Sequence, residues 1–196
     1  MLLFIFMLLP CVYIGWLVFQ NLLGPDPAKK LALITGTWSM RLLLCTLCIS
    51  SLSRINFKWR LLLRWRRMIG VMTFCYASLH LLVFIALYLE FNSAQLFSEL
   101  HKRPYITVGF AAWIMLLLLA VTSNNTMVKQ LGATRWKQLH KLVYLVLLCS
   151  VVHIAWQVRA SWLDAAFYGL VACLLLVERI QAGVLPMFGQ KTDKLA

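Results

Sequence analysis

The sequence predicts an all-α membrane protein, a polytopic bundle of six transmembrane helices with both termini in the cytoplasm. Of its 196 residues, 62% are hydrophobic, and the mean hydropathy is +0.82. Apolar runs of about 20 residues recur along the chain, and a helix of that length crosses the hydrocarbon core of a bilayer. The basic residues gather in alternate loops, which is typical of a polytopic membrane protein.

Six segments are long and apolar enough to be membrane spans. The first lacks a basic lead-in, and its apolar run is too long for a cleaved secretory signal, so we expect it to remain a helix with a bend at Pro10. Because the connections are short, residues 1–196 are expected to form one domain. The expected spans are approximately residues 2–23, 31–52, 69–89, 105–121, 139–158 and 162–177.

Two of the connections are expected to be helical themselves. Residues 90–103, on the outer side, form an amphipathic pattern that ends before Pro104. Residues 123–138, on the inner side, begin with serine and asparagine and contain Gly132 as a helix C-cap. Neither segment contains a phosphate-binding glycine loop or a nucleophile motif.

The formal net charge of +13 would also suit a nucleic-acid-binding protein, but the positions of the charges favour a membrane topology. The loops after the second and fourth spans are strongly basic and are therefore expected in the cytoplasm, against anionic lipid headgroups. No nucleic-acid partner is expected. The inner loops carry Arg54, Lys58, Arg60, Arg64, Arg66, Arg67, Lys129, Arg135 and Lys137, whereas the outer side carries Lys29, Lys30, Lys102, Arg103 and Arg159.

Two histidines inside apolar spans are the strongest functional candidates. An ionisable side chain in hydrocarbon is costly, and neutral imidazole is a common axial ligand of haem iron. At 1.5 Å per residue, His80 lies roughly 17 Å and His153 roughly 21 Å from the inner ends of their helices. Since these two helices run in the same direction, the imidazoles are expected at similar depth, as two axial ligands of one b-type haem near the outer leaflet.

The role of a third histidine, His140, stays open at this point. It lies at the inner mouth of the fifth span, roughly 20 Å below His153 at helical rise. It could be the metal ligand of a five-coordinate haem, contact a flavin or a quinone, or simply cap a helix.

Several cationic and aromatic residues could bind cofactors. Arg41 lies within the second span near the expected haem depth, where a haem propionate would be a natural partner. The other candidates gather at the inner face near His140 and suit a flavin phosphate and ring, although contact with lipid headgroups explains them equally well. These candidates are Arg66, Arg67, Arg135, Trp136 and Lys137.

The ordered combination of several segments resembles the MsrQ family, also called YedZ, of haem-binding membrane subunits. The wider group is the ferric-reductase-like transmembrane domain, which also occurs in eukaryotic NADPH oxidases. Those wider relatives carry two histidines on each ligand helix, whereas the third span here contains only His80. The matching segments are RRMIGVMTFCYASLHLLVF (66–84), KRPYITVG (102–109), LGATRWKQLHKLVYL (131–145) followed by His153, GPDPAKK (24–30) and ITGTW (34–38).

The resemblance implies an electron-transfer subunit of the bacterial inner membrane with haem b and FMN as cofactors. Electrons would come from the quinone pool, or from a cytoplasmic flavin reductase. They would pass to MsrP, a periplasmic molybdopterin subunit that reduces methionine sulfoxide in oxidised proteins. The catalytic site would then lie in the partner and not in this chain.

A small transporter or proton channel that uses its buried histidines as a relay is the alternative. Such a relay would be expected to include carboxylates within the membrane. Here Glu90 and Glu178 lie at the ends of predicted helices, and no carboxylate lies well inside one. The sequence therefore favours electron transfer over proton transport.

Overall fold

The computed structural model describes residues 2–157 and 162–183, and in these ranges the chain is helical throughout, apart from short turns. The predicted all-α fold is confirmed. A short 3-10 helix, Phe57–Leu62, precedes the third α-helix. The α-helices are α1 Leu2–Phe19, α2 Pro27–Ile55, α3 Leu63–Leu87, α4 Ser93–Lys102, α5 Pro104–Val121, α6 Asn125–Leu131, α7 Ala133–Leu139, α8 Leu142–Gln157 and α9 Trp162–Gln181.

Local sequence signals set several helix boundaries. The Asp26 carboxylate caps α2 by accepting the backbone N–H of Lys29 at 2.9 Å, and Pro27 occupies the first turn. Asn92 caps the amphipathic helix α4 in the same way, and Pro104 begins α5 directly afterwards. Gly132 ends α6 with a φ of 76°, a left-handed conformation that glycine adopts without a Cβ clash. The helices predicted within the two connections are therefore present.

Four helical segments are long and apolar enough to cross a membrane: Pro27–Ile55, Phe57–Leu87, Pro104–Val121 and Ala133–Gln157. They correspond to the second to fifth predicted spans, and they make the chain a membrane protein. Helix α1 is a shorter apolar helix, and α9 contains three charged residues. Six spans and two cytoplasmic termini therefore stay predictions. Residue 158, the expected end of the fifth span, and the outer Arg159 lie outside the described residues.

Two antiparallel helix pairs form the centre of the bundle. Helices α2 and α3 pair along their length, and the Ser39 hydroxyl donates to the Thr73 carbonyl at 3.2 Å. Helices α5 and α8 form the second pair. The Trp113 indole of α5 donates to the Ser78 hydroxyl of α3 at 3.0 Å and so joins the two pairs. The most buried apolar residues of this core include Leu47, Val146 and Leu147.

A charged cluster fixes α9 against the C-terminal end of α2. Arg179 is 4% exposed and donates to the Leu47 carbonyl at 2.9 Å and to the Ser51 hydroxyl at 3.1 Å. The neighbouring Glu178 carboxylate accepts from Ser51 at 2.9 Å and from Arg54 at 3.0 Å. A buried guanidinium is stable only when it is paired in this way. This cluster was not expected from the sequence, because its partners are more than 120 residues apart.

The topology can be tested with two exposed lysines on opposite sides of the predicted membrane. We expect Lys102→Cys to react with an impermeant maleimide in intact spheroplasts, because Lys102 belongs to the predicted outer loop. Lys129→Cys should react only after lysis. Both changes are made in a chain whose six native cysteines are replaced by alanine. Labelling of Lys129→Cys before lysis would reverse the predicted topology.

Candidate functional site

His80, on α3, faces the outer part of α2. Its Nδ1 lies 2.9 Å from the Ala32 carbonyl oxygen and 3.4 Å from the Thr35 hydroxyl. The Thr35 hydroxyl is within donating distance of the Leu31 and Ala32 carbonyls of its own helix. Nδ1–H is therefore the donor to Ala32, and this bond selects the tautomer whose Nε2 has a free lone pair.

His153, on α8, makes the equivalent contact with α5. Its Nδ1 lies 2.7 Å from the Tyr105 carbonyl oxygen. A backbone carbonyl can only accept, so Nδ1–H donates here as well and Nε2 keeps its lone pair. Histidines that bind metals usually donate their second nitrogen to a carbonyl or carboxylate in this way, which fixes the ring and raises its basicity.

The two imidazoles meet across the centre of the bundle. Their ring centroids are 6.2 Å apart, and the ring planes are almost perpendicular at 86°. Metal–nitrogen bonds of about 2 Å on either side of one metal ion, with the ring radii added, place two imidazole centroids about 6 Å apart. The separation therefore fits two axial ligands of a single metal. The fold therefore brings the two imidazoles to a similar depth, as the sequence predicts.

Two glycines make room for the imidazoles. A Cβ on Gly36 would lie 3.1 Å from Nδ1 of His80, and a Cβ on Gly109 would lie 2.6 Å from Nδ1 of His153. Each glycine follows the accepting carbonyl by four residues, Ala32 to Gly36 and Tyr105 to Gly109. In an α-helix the amide of residue i+4 meets the carbonyl of residue i. A side chain at that position would obstruct the ring's approach to the carbonyl.

The two halves of the site share one sequence spacing. Each histidine lies 48 residues after its carbonyl, and each carbonyl lies four residues before its glycine. Sequence reasoning identified both histidines but missed both glycines. The repeated carbonyl, glycine and histidine spacing was the signal that could have found them.

Within residues 2–157 and 162–183, no cluster of three or more histidine, cysteine or carboxylate side chains could hold a metal ion. Two facing imidazoles alone are too few ligands for a protein-held zinc site, which usually has three or four. They suit a metal whose equatorial positions are already filled, as they are by the porphyrin of haem. The donor set therefore fits a haem iron.

His140 lies apart from this pair, at the inner end of α8. Its ring stacks on the Trp136 indole with centroids 3.9 Å apart. Its Nδ1 lies 3.1 Å from the Trp136 carbonyl, and its Nε2 lies 3.4 Å from the Ser123 hydroxyl. Both ring nitrogens thus have protein groups within hydrogen-bonding distance. The His140 ring faces an indole and not a second imidazole, so it lacks the partner that His80 and His153 provide for each other.

The structure brings the basic and aromatic candidates for flavin binding only partly together. Trp136 is next to His140, and its indole donates to the Thr122 carbonyl at 2.8 Å. Arg67 donates to the Asn125 side chain at 2.6 Å, while Arg66 is partly buried at the start of α3. Two others, Arg135 and Lys137, are exposed on α7.

The structure places Arg41, the candidate for a propionate contact, on the face of α2 opposite the Ala32 carbonyl that accepts His80. It follows Ala32 by nine residues, or 2.5 helical turns, so the two residues lie on opposite faces of α2. Its guanidinium instead lies 5.4 Å from the centroid of the Trp38 ring, beside α1. Sequence depth alone could not show on which face of the helix this charge lies.

Comparison with known proteins agrees with this architecture. Residues 35–151 match the family described as ferric reductase like transmembrane component. A relative from Azospira oryzae is 39% identical over 91% of this chain and 78% of its own length. Two relatives from Xanthomonas campestris pv. campestris (strain B100) and Xanthomonas axonopodis pv. citri are 39% and 38% identical over 88% of this chain and 81% of theirs. All three are named protein-methionine-sulfoxide reductase heme-binding subunit MsrQ. The chain therefore belongs to the MsrQ family of ferric-reductase-like transmembrane proteins.

Proposed function

We propose that this chain is the haem b-binding membrane subunit of a protein-methionine-sulfoxide reductase system, with His80 and His153 as the axial ligands. The observation that carries the proposal is the pair of facing imidazoles, 6.2 Å apart, whose Nδ1 atoms both donate to backbone carbonyls. The names of the relatives support the same cofactor and the same reductase system.

The protein's contribution at this site is orientation and tuning. The Ala32 and Tyr105 carbonyls hold each imidazole in the tautomer whose Nε2 keeps its lone pair for a metal. Haem would supply one-electron redox chemistry here. Because two imidazoles leave no open iron position, the site favours electron transfer over oxygen chemistry.

The proposed direction of electron flow follows from the position of the pair. Tyr105 is the second residue of α5 and Ala32 the sixth of α2, so the histidines bind near the helix ends that lie opposite the basic loops. In the inner membrane these ends would face the periplasm. We propose the quinone pool or a cytoplasmic flavin reductase as donor and a periplasmic molybdopterin reductase, MsrP, as acceptor.

A flavin site at the inner end is a weaker part of the proposal. The cationic side chains of Arg66, Arg67, Arg135 and Lys137 and the Trp136 ring near His140 suit the phosphate and ring of FMN. Anionic lipid headgroups would satisfy the same charges. The proton-relay alternative has less support, because among the described residues no carboxylate clusters with the two histidines.

The ligand assignment predicts a clear spectral difference between histidines. His80→Ala and His153→Ala should each abolish the low-spin b-type spectrum of the reduced, detergent-solubilised protein, because one axial bond is lost. His140→Ala is the matched control and should retain that spectrum. Absorption spectra of the three variants at equal protein concentration test this. Loss of the low-spin signal in His140→Ala alone would overturn the pairing.

The distances between the two glycines and the imidazoles predict that alanine substitutions lower haem affinity to different degrees. Gly109→Ala should lower haem affinity by about 10–100-fold, the usual effect of disturbing a partner of a metal ligand, because its Cβ would lie only 2.6 Å from Nδ1 of His153. Gly36→Ala should have a smaller effect at 3.1 Å, and Gly15→Ala, with no atom within 4 Å, should have none. The measurement is haem titration of the purified apoprotein. Equal affinities for all three variants would contradict the proposed role of the glycines.

The outer loop predicts an electrostatic contact with the reductase partner. Lys102 is exposed, whereas the neighbouring Arg103 is already paired with Glu99 at 2.8 Å. Lys102→Glu should slow oxidation of the pre-reduced protein by MsrP by about ten-fold at low salt, because charge steers encounter. Lys129→Glu, at the inner side, is the control. Stopped-flow rates that are the same for both variants would place the docking surface elsewhere.

A further inference from the structure

Helices α1 and α2 enclose a cavity of about 520 Å³ on the lipid-facing side of the bundle. Its walls are mostly apolar, and the side chains of Phe6, Leu9 and Leu33 on its rim are 64%, 52% and 66% exposed. In a membrane such exposure means contact with lipid. The cavity is therefore a groove that a lipid-soluble molecule can enter sideways from the bilayer. We call it the α1–α2 groove.

Arg41 is the cation of this groove. Among the described residues no ion pair or hydrogen bond of its side chain is found, and its guanidinium lies over the face of the Trp38 ring, 5.4 Å from the centroid. Arg41 is the fifteenth of 29 residues in α2, so it lies roughly 21 Å from either end of the helix. An arginine at this depth is costly and usually marks a functional site. Its N–H donors require an acceptor that can reach the middle of the membrane.

Two aromatic rings and two hydroxyl groups also line the groove. Tyr13 of α1 and Trp38 of α2 provide the rings, and Thr37 and Tyr13 provide the hydroxyls. No carboxylate lines the groove. These groups suit a flat, conjugated head group that carries oxygen acceptors, with a hydrocarbon tail leaving past Phe6 and Leu33.

The depth of Arg41 separates two lipid-soluble candidates. A phospholipid phosphate stays at the membrane interface, which is roughly 15 Å from Arg41, half the thickness of the hydrocarbon core. A quinone head group is uncharged and moves through the hydrocarbon region. Its two carbonyl oxygens can accept hydrogen bonds from a guanidinium. The acceptor that matches this position is therefore a quinone.

The groove also lies next to the histidine pair. Arg41 lies on one face of α2, and Ala32, whose carbonyl accepts His80, lies on the opposite face. About one helix diameter, roughly 10 Å, therefore separates the two faces. The Trp38 ring of the groove lies 6.5 Å, centroid to centroid, from the ring of Tyr76. Tyr76 precedes His80 by four residues, one turn of α3. An electron would cross packed aromatic side chains over a short distance.

We propose that the α1–α2 groove binds the head group of a membrane quinone, with Arg41 donating to a quinone oxygen and Trp38 against the ring. The inference rests on the proposed function, because it assigns the electron donor's site. Oxidation of one hydroquinone to the quinone releases two electrons and two protons. The electrons would pass one at a time to a haem held by His80 and His153, which the periplasmic reductase would reoxidise between the two transfers, and the protons would pass to water at the membrane surface.

Photoaffinity labelling tests the site directly. The full chain in proteoliposomes is irradiated with an azido-ubiquinone analogue, and the labelled peptides are mapped by mass spectrometry. We expect label on residues 6–13 and 33–41 that excess decylubiquinone suppresses. Arg41→Gln should reduce this labelling about ten-fold. Label confined to other helices, or label in the groove that decylubiquinone does not suppress, would overturn the proposal and leave the groove to bulk lipid.

A pair of tryptophan substitutions provides the matched control. Leu33→Trp should fill the groove and abolish the competed label, whereas Leu82→Trp, at a 51% exposed position on α3, should not. Both variants should keep the haem spectrum and the rate of reduction by dithionite, and only Leu33→Trp should slow reduction by decylubiquinol. Equal behaviour of the two variants would overturn the proposal. Quinone labelling does not require haem. An error in the assignment of the histidine ligands would therefore change the haem spectra and leave the labelling unchanged.

Discussion

The hydrogen bonds from the two imidazoles to backbone carbonyls are the constraint on which the rest of the site depends. A histidine side chain in hydrocarbon must satisfy its N–H within the protein, and here the Ala32 and Tyr105 carbonyls accept it at 2.9 and 2.7 Å. A carbonyl in a helix already faces the amide four residues on. A second donor can reach it only where the residue at that position leaves space, so the imidazole bond favours glycine there, more strongly at Gly109 than at Gly36.

This constraint explains why the site is built from two antiparallel helix pairs. Each pair joins a helix that contributes a carbonyl and a glycine to a helix that contributes a histidine, α2 with α3 and α5 with α8. Packing α3 against α5, through the Trp113 to Ser78 bond, then places the two rings opposite each other. The charged contacts of Arg179 hold the other end of the bundle. These contacts fix the position of α9 against the C-terminal end of α2, at the opposite end of that helix from Ala32.

Most of the fold could be predicted because hydropathy and helix caps are local properties. Apolar runs, Asp26, Asn92 and Gly132 mark boundaries that tertiary packing leaves in place. The histidine pair was also within reach, because depth is a simple count along a helix. Which face a residue occupies depends on the angular position of the helix against its neighbours. For this reason the sequence could not show that Arg41 lies on the face of α2 opposite Ala32, and Gly109 escaped notice.

Helix α2 connects these features because it is longer than the hydrocarbon core requires. Its 29 residues extend roughly 43 Å, against a core of about 30 Å. The N-terminal third accepts His80 at Ala32, the middle presents Arg41 to the α1–α2 groove, and the C-terminal third receives Arg179 at Leu47. One rigid element therefore fixes both the groove and half of the histidine site. Changes in α1 can reshape the groove without moving the carbonyl that orients the imidazole.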